Sequence, residues 1–132
     1  MRADLGDAPA PYLGRYIPTQ MPTHTLPQTR RPPDVDALAR RIVERLAPTR
    51  VVLFGSRARG EDAPGDTDLF VEMETDRRPP ERVADVLAVF GLRPWPLDVV
   101  VYTPAEVARL RRVPTSLLNE IEASGRVLYE RA

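Results

Sequence analysis

Two short apolar runs, each bordered by residues that end a strand, constrain the fold of this chain most. Residues 51–54 read Val-Val-Leu-Phe and stop at Gly55, whereas residues 69–71 read Leu-Phe-Val and follow two aspartates. Runs of this length and composition are typical of buried strands. Because side chains two apart in a strand point the same way, we expect Asp66 and Asp68 to project from one face.

The paired aspartates predict a cation site. Two ionised carboxylates about 4 Å apart repel by roughly 4 kcal/mol at an effective dielectric near 20, so a counter-charge is needed. A divalent metal supplies it most simply, and oxygen-only ligands suit Mg²⁺ or Mn²⁺. A third carboxylate, Asp98, interrupts the apolar run 97–101 and joins the same ion if its strand lies beside that of Asp68 in register. In a central strand this charge is costly unless paired, and an ion pair with Arg57 is the alternative.

Glu72 and Glu74 share the strand face of Asp68 and are therefore rival ligands. At about 3.3 Å per residue, however, Glu72 lies roughly 13 Å along the strand from Asp68. Ligand oxygens must approach Mg²⁺ to about 2.1 Å, so Glu72 cannot share an ion with Asp68. For Asp66 or Asp68 taken alone, a capping or loop role stays open.

The Gly55-Ser56 turn is the candidate phosphate site. A strand that ends in glycine and enters a helical turn presents backbone N–H groups and the positive end of a helix dipole, and the Ser56 hydroxyl adds a donor. A Gly-Ser turn is often only structural, and no Gly-Lys-Ser/Thr follows here, so the turn is not a P-loop. Arg57 and Arg59 either contact phosphate, face solvent or form structural ion pairs. Arg109 and Arg112 share a helix face that we expect to be solvated. Trp95, between two prolines, either anchors a loop, stacks on a base or meets a partner.

Composition excludes several classes of function. The 132 residues suffice for one domain, and the net charge of zero gives no general electrostatic case for nucleic acids or acidic membranes. The chain has no lysine, no cysteine and one histidine, His24, which excludes Schiff-base and thiolate chemistry and disfavours a zinc site. With no apolar run long enough to span a bilayer, we expect a cytoplasmic protein.

Residues 1–33 differ from the rest because they hold seven of the fifteen prolines. This density forbids a long helix or a central strand, so we predict a flexible proline-rich arm before a domain at 34–132. The alternatives are an arm that drapes over a partner through Tyr12, Tyr16 and Ile17, or a natural start at Met21.

Strand and helix patterns alternate from residue 34 onward. Strands are predicted at 51–54, 67–73, 97–102 and 126–129, and helices at 34–47, 80–91, 104–110 and 116–123. Asp34 or Asp36 can cap the first helix. The predicted apolar faces are Val83, Val86, Leu87 and Phe90 in the second helix and Leu117, Leu118 and Ile121 in the last. The fold class is therefore α/β or α+β, a small mixed sheet flanked by helices.

Four segments together resemble a known family. They are 55–60 (GSRARG), 66–69 (DTDL), 97–100 (LDVV) and the ending 118–130 (LNEIEASGRVLYE). They look like the minimal nucleotidyltransferases of the DNA polymerase β superfamily, over about residues 34 to 131. The resemblance implies a polymerase β-like nucleotidyltransferase fold. The sequence departs from the family at Gly65, where serine is usual, and its loop before the first aspartate is one residue shorter than is common.

Site roles also follow from the resemblance. Gly55 and Ser56, with Arg57 and Arg59, would hold the triphosphate of ATP as substrate. Two Mg²⁺ ions, or Mn²⁺, would be held by Asp66, Asp68 and Asp98, which also form the implied catalytic set. Asp98 would in addition help to deprotonate the acceptor hydroxyl.

The family also implies a biological role. Many members are antitoxins that transfer AMP from ATP to a tyrosine of a helical HEPN ribonuclease toxin encoded alongside, with which an oligomer could form. The chain is too short for the second domain with which antibiotic-modifying relatives bind small substrates, which favours a protein acceptor. The alternatives are a non-catalytic module that neutralises a partner by contact and an aminoglycoside-type small-molecule transferase.

Overall fold

The computed structural model describes residues 34–59 and 66–132. The prediction of a flexible or draping arm at 1–33, and of a start at Met21, falls outside the described residues, as does the short segment 60–65. None of the helices in the described part of the chain is both long and apolar enough to cross a membrane.

The described residues form four α-helices and four strands. In chain order they are α1 (Val35–Leu46), β1 (Arg50–Phe54), β2 (Thr67–Glu72), α2 (Pro79–Phe90), β3 (Leu97–Tyr102), α3 (Pro104–Leu110), α4 (Leu117–Ser124) and β4 (Arg126–Glu130). Each predicted element is present, and no end differs from the prediction by more than one residue.

The strands form one mixed sheet in the order β3-β2-β1-β4. Strand β1 is antiparallel to β2 and β4, whereas β2 and β3 run parallel. The end of β1 therefore lies at the same edge of the sheet as the starts of β2 and β3. The predicted class, an α+β fold with a small mixed sheet flanked by helices, is confirmed.

Helices cover both faces of the sheet because successive strand residues alternate between two cores. One core unites α1 and α2 with Val51, Leu53, Leu69 and Val71, and the other unites α3 and α4 with Val52 and Phe70. The continuous apolar runs in β1 and β2 thus reflect central strands buried on both faces, not an alternating half-buried strand.

Local signals fix most helix ends. Helix α3 begins with a capping box in which the Thr103 hydroxyl accepts from the Glu106 N–H and the Glu106 carboxylate accepts from the Thr103 N–H. Helix α2 ends at Gly91, whose φ of 62° favours glycine. Asp34 occupies the N-cap of α1 as predicted, but its side chain makes no capping hydrogen bond.

Two predictions about buried side chains are wrong. Leu117, expected in the apolar face of α4, is 44% exposed, because the apolar contacts of this short helix with the sheet are made by Leu118 and Ile121. In α2 the buried set includes Val89 and, unexpectedly, Arg82. The Arg82 guanidinium is retained there by hydrogen bonds to the Arg77 carbonyl (2.8 Å) and to Glu106 (2.9 Å).

A buried arginine joins the sheet to α4. Arg50, 9% exposed, donates from Nε to Glu72 at 3.0 Å and from Nη2 to Glu122 at 2.7 Å, and its guanidinium lies 5.4 Å from the centre of the Phe70 ring. Arg111 also donates to Glu122, at 2.6 Å from its Nη2. The buried Glu72 carboxylate therefore depends on Arg50 for compensation of its charge, whereas the partly buried Glu122 is paired with both Arg50 and Arg111.

Replacement of Arg50 should destabilise the protein strongly. In Arg50→Ala the buried Glu72 carboxylate loses its partner, so we expect the free energy of unfolding to fall by about 3 kcal/mol. Urea denaturation of wild type, Arg50→Ala and the exposed control Arg112→Ala measures it. The control should lie within about 0.5 kcal/mol of wild type; an equally small loss in Arg50→Ala would contradict the role of the network.

Glu122 should make stability sensitive to acid. Its hydrogen bonds from Arg111 lower the pKa of the Glu122 carboxyl, burial opposes this, and Arg50 lowers the pKa further. The unfolded chain then binds the proton more readily, so the contribution of Glu122 is present above the unfolded pKa of about 4.3 and is lost as the pH falls. We expect the free energy of unfolding to decline less steeply below roughly pH 5 in Glu122→Gln than in wild type. Parallel slopes in denaturation series at several pH values would contradict this.

Candidate active site at the sheet edge

A tight turn follows β1 at residues 55–59, where the described part of this segment ends. Gly55 has a φ of 77°, and the turn is closed by bonds from Ala58 N–H to the Gly55 carbonyl and from Arg59 N–H to the Ser56 carbonyl, both 3.1 Å. One turn has little of the summed dipole that a helix carries. Among the described residues, local backbone N–H groups and the Ser56 hydroxyl are therefore the donors that the turn offers, and phosphate binding there stays a prediction.

The carboxylate of Asp68 packs directly against the backbone of Gly55. A Cβ atom built on Gly55 would overlap the Asp68 carboxylate and would lie 3.1 Å from its Cγ. This closeness follows from the strand register, in which Phe54, the residue before Gly55, pairs with Asp68. Glycine is thus required here by the left-handed φ and also by the carboxylate beside it.

Asp68 and Asp98 lie side by side. They are paired residues of the parallel strands β2 and β3, and neighbouring strands lie about 4.8 Å apart. The register that Asp98 needed in order to join Asp68 is therefore present. The expectation that Asp98 interrupts a central strand is wrong, because β3 is at the edge of the sheet and Asp98 is exposed. Its predicted alternative partner, Arg57, bonds to Thr67 instead.

The charges of the three aspartates act on one another. Burial raises the pKa of Asp68 above its usual value, the charges of Asp98 and then of Asp66 raise it further, and a hydrogen bond between Asp68 and Asp98 adds to the shift. Asp66, exposed and one residue before β2, acts through its charge alone. A cation at this position would offset the repulsion that raises the pKa of Asp68.

The donor set fits a divalent cation in its chemistry. Carboxylate oxygens are the ligands that Mg²⁺ and Mn²⁺ prefer, and Asp68 and Asp98 are paired residues of neighbouring strands. Within 34–59 and 66–132, no group of three acidic, histidine or cysteine side chains is arranged to hold an ion together. The assignment of Asp66 as a third ligand therefore stays a prediction.

The rival carboxylates are not at this site. Glu72, at the far end of β2, is buried and paired with Arg50. Glu74 follows β2 and is exposed, further still from Asp68 along the chain. The distance argument that excluded Glu72 is consistent with this placement.

Three other residues noted in the sequence have the following positions in the structure. Trp95 is only 8% exposed and its ring meets Phe90 edge-on at 5.9 Å, so it anchors a loop in the core and cannot stack on a base. Arg109 and Arg112 are exposed, as expected for a solvated surface. Nucleotide binding by Arg57 and Arg59 stays a prediction.

Comparison with known proteins places the chain in a family. The family model described as "Nucleotidyltransferase domain" matches residues 35–126, more than half of the chain. The chain therefore belongs to this family of nucleotidyltransferase domains. The matched range includes the Gly55-Ser56 turn and all three aspartates, and the four helices and mixed sheet of the described residues agree with a polymerase β-like fold. A search of curated proteins finds no match.

A side chain at Gly55 should disrupt the site more than the same change at another left-handed glycine. Gly91 has a φ of 62°, but a Cβ there would meet nothing within 4 Å, so Gly91→Ala isolates the backbone strain, about 1 kcal/mol. Gly55→Ala should cost at least about 1 kcal/mol more, because it also displaces Asp68.

The origin of that excess can be tested by denaturation of Gly55→Ala in a background of Asp68→Ala. Removal of the carboxylate should lower the cost of Gly55→Ala to that of Gly91→Ala. An unchanged cost would show that the Asp68 side chain is not what excludes a Cβ atom.

Proposed function

We propose that this protein is an ATP- and Mg²⁺-dependent nucleotidyltransferase that transfers AMP to a protein, and that it is the antitoxin of a HEPN toxin pair. The observation that carries the enzymatic part is the in-register pair Asp68 and Asp98, beside the Gly55-Ser56 turn, in a chain of the nucleotidyltransferase family. The toxin partner rests on the resemblance of the whole sequence, including residues 118–130, to minimal nucleotidyltransferases.

The proposed step is an in-line displacement at phosphorus. The oxygen of an acceptor hydroxyl, such as a tyrosine of the partner, bonds to the α-phosphorus of ATP. The bond from that phosphorus to the oxygen of the β-phosphate breaks, and pyrophosphate leaves with the electron pair. Asp98 accepts the hydroxyl proton.

The remaining residues bind and orient. Backbone N–H groups and the Ser56 hydroxyl donate to phosphate oxygens, and the lack of a side chain at Gly55 lets the triphosphate approach the backbone. Asp66, Asp68 and Asp98 would hold divalent ions, which would supply charge neutralisation for the transfer. Positioning and neutralisation account for most of the catalysis that such a transfer needs.

The test uses ATP labelled in either the α- or the γ-phosphate, Mg²⁺ and the product of the neighbouring gene. We expect label on the partner protein from α-labelled ATP only, which distinguishes AMP transfer from phosphoryl transfer. Asp66→Asn/Asp68→Asn should abolish labelling, whereas the surface control Glu44→Gln should label like wild type. In chelator the double variant should fold at least as stably as wild type, because it removes carboxylate repulsion.

Three results would oppose the proposal. Equal neutralisation of the partner by wild type and the double variant without label would identify a binding module. Label on an aminoglycoside instead of the protein would identify a small-molecule transferase. Label from γ-labelled ATP would identify a different reaction.

A further inference from the structure

Arg57 makes a specific contact on the side of the sheet away from the aspartates. Its Nη1 donates to the hydroxyl of Thr67 at 3.0 Å. Thr67 is 0% exposed, and because strand residues alternate, its side chain points opposite to that of Asp68. Its partner in β3, Leu97, belongs to the core under α1 and α2, which confirms that face.

The contact joins the two halves of the candidate site. Arg57 directly follows Ser56 in the turn, and Thr67 stands between Asp66 and Asp68. The two residues are ten positions apart, so their hydrogen bond closes the loop at its base and fixes the turn relative to the carboxylates. A charge-assisted bond to a buried hydroxyl is stronger and more directional than a solvent-exposed contact.

Thr67 also connects the turn to the third strand. It pairs with Leu97, one residue before Asp98, in the parallel ladder of β2 and β3. A shift of Thr67 would therefore move the strand start that carries Asp68 relative to that of Asp98. Through this one buried hydroxyl, Arg57 restrains the turn against both aspartate-bearing strands.

We infer that Arg57 is a positioning residue that holds the Ser56 turn against Asp66, Asp68 and Asp98 through Thr67, and does not itself bind the triphosphate. This inference deepens the proposed function and rests on it. It assigns Arg57 a different task from the nucleotide contact that the family resemblance implies. It also adds Thr67, which carries no chemistry of its own, to the residues on which the site depends.

The inference predicts equal and non-additive effects at the two positions. Arg57→Ala and Thr67→Val should each raise the KM for ATP and lower kcat/KM by between about 10- and 100-fold, since a displacement of about 1 Å between binding groups costs this much. The double variant should be no worse than either single variant, because both remove the same bond. Thr67→Ser keeps the hydroxyl and should stay within about twofold of wild type.

The kinetic series is measured with Mg²⁺, α-labelled ATP and the neighbouring gene's product, with Arg112→Ala as a surface-arginine control that should match wild type. Urea midpoints establish that each variant is folded. If Arg57→Ala raises the KM but Thr67→Val does not, Arg57 contacts the nucleotide itself and the inference is wrong. Effects that add in the double variant overturn it as well.

A second measurement does not depend on activity. Hydrogen exchange of the peptide covering 55–59, without nucleotide, should be faster by the same factor in Arg57→Ala and Thr67→Val, and like wild type in Thr67→Ser. Unchanged exchange in either of the first two variants overturns the inference. If wild type transfers no AMP and binds no MgATP, the proposed function fails, while the exchange result still decides whether Arg57 and Thr67 restrain the turn.

Discussion

The mutual repulsion of carboxylates at one edge of the sheet is the constraint around which this structure is arranged. Asp68 is partly buried, lies in register with Asp98 and packs on the backbone of Gly55. Its burial and the charge of Asp98 each disfavour the ionised form of Asp68. A fold evolved for stability alone has no use for such an arrangement. Its cost is understandable if a cation and a triphosphate occupy this edge, which is what the family match leads one to expect.

Packing and ion pairs elsewhere in the sheet restrain the positions of the residues at that edge. Strands β1 and β2 are covered on both faces, so their ends have little freedom to move. At the opposite end of the sheet, Arg50 links β1, β2 and α4 through Glu72 and Glu122. Glu72 and Glu122 are thus neutralised by arginines, whereas Asp68 and Asp98 lie side by side at the other end of the sheet.

Much of this could be read from the sequence. Proline and glycine set the ends of α2 and α3, and the apolar runs predicted the strands, because these signals act locally. The predictions of side-chain burial were wrong where tertiary packing determines which side of a helix is covered. Leu117 fits a helical apolar stripe but is exposed, and Arg82 is buried although it is charged, since only the neighbouring elements determine which side of a helix is covered.

The sequence by itself determined which chemistry is available: carboxylates and a Gly-Ser turn, with no cysteine or lysine and with one histidine. It also determined that Asp66 and Asp68 are near neighbours, since they are two residues apart. Only the tertiary structure decided that Asp98 lies beside Asp68 and that Arg57 reaches Thr67. Those contacts depend on the pairing of strands that are distant along the chain, and the order of strands in a sheet is set by the burial of its two faces rather than by any local signal.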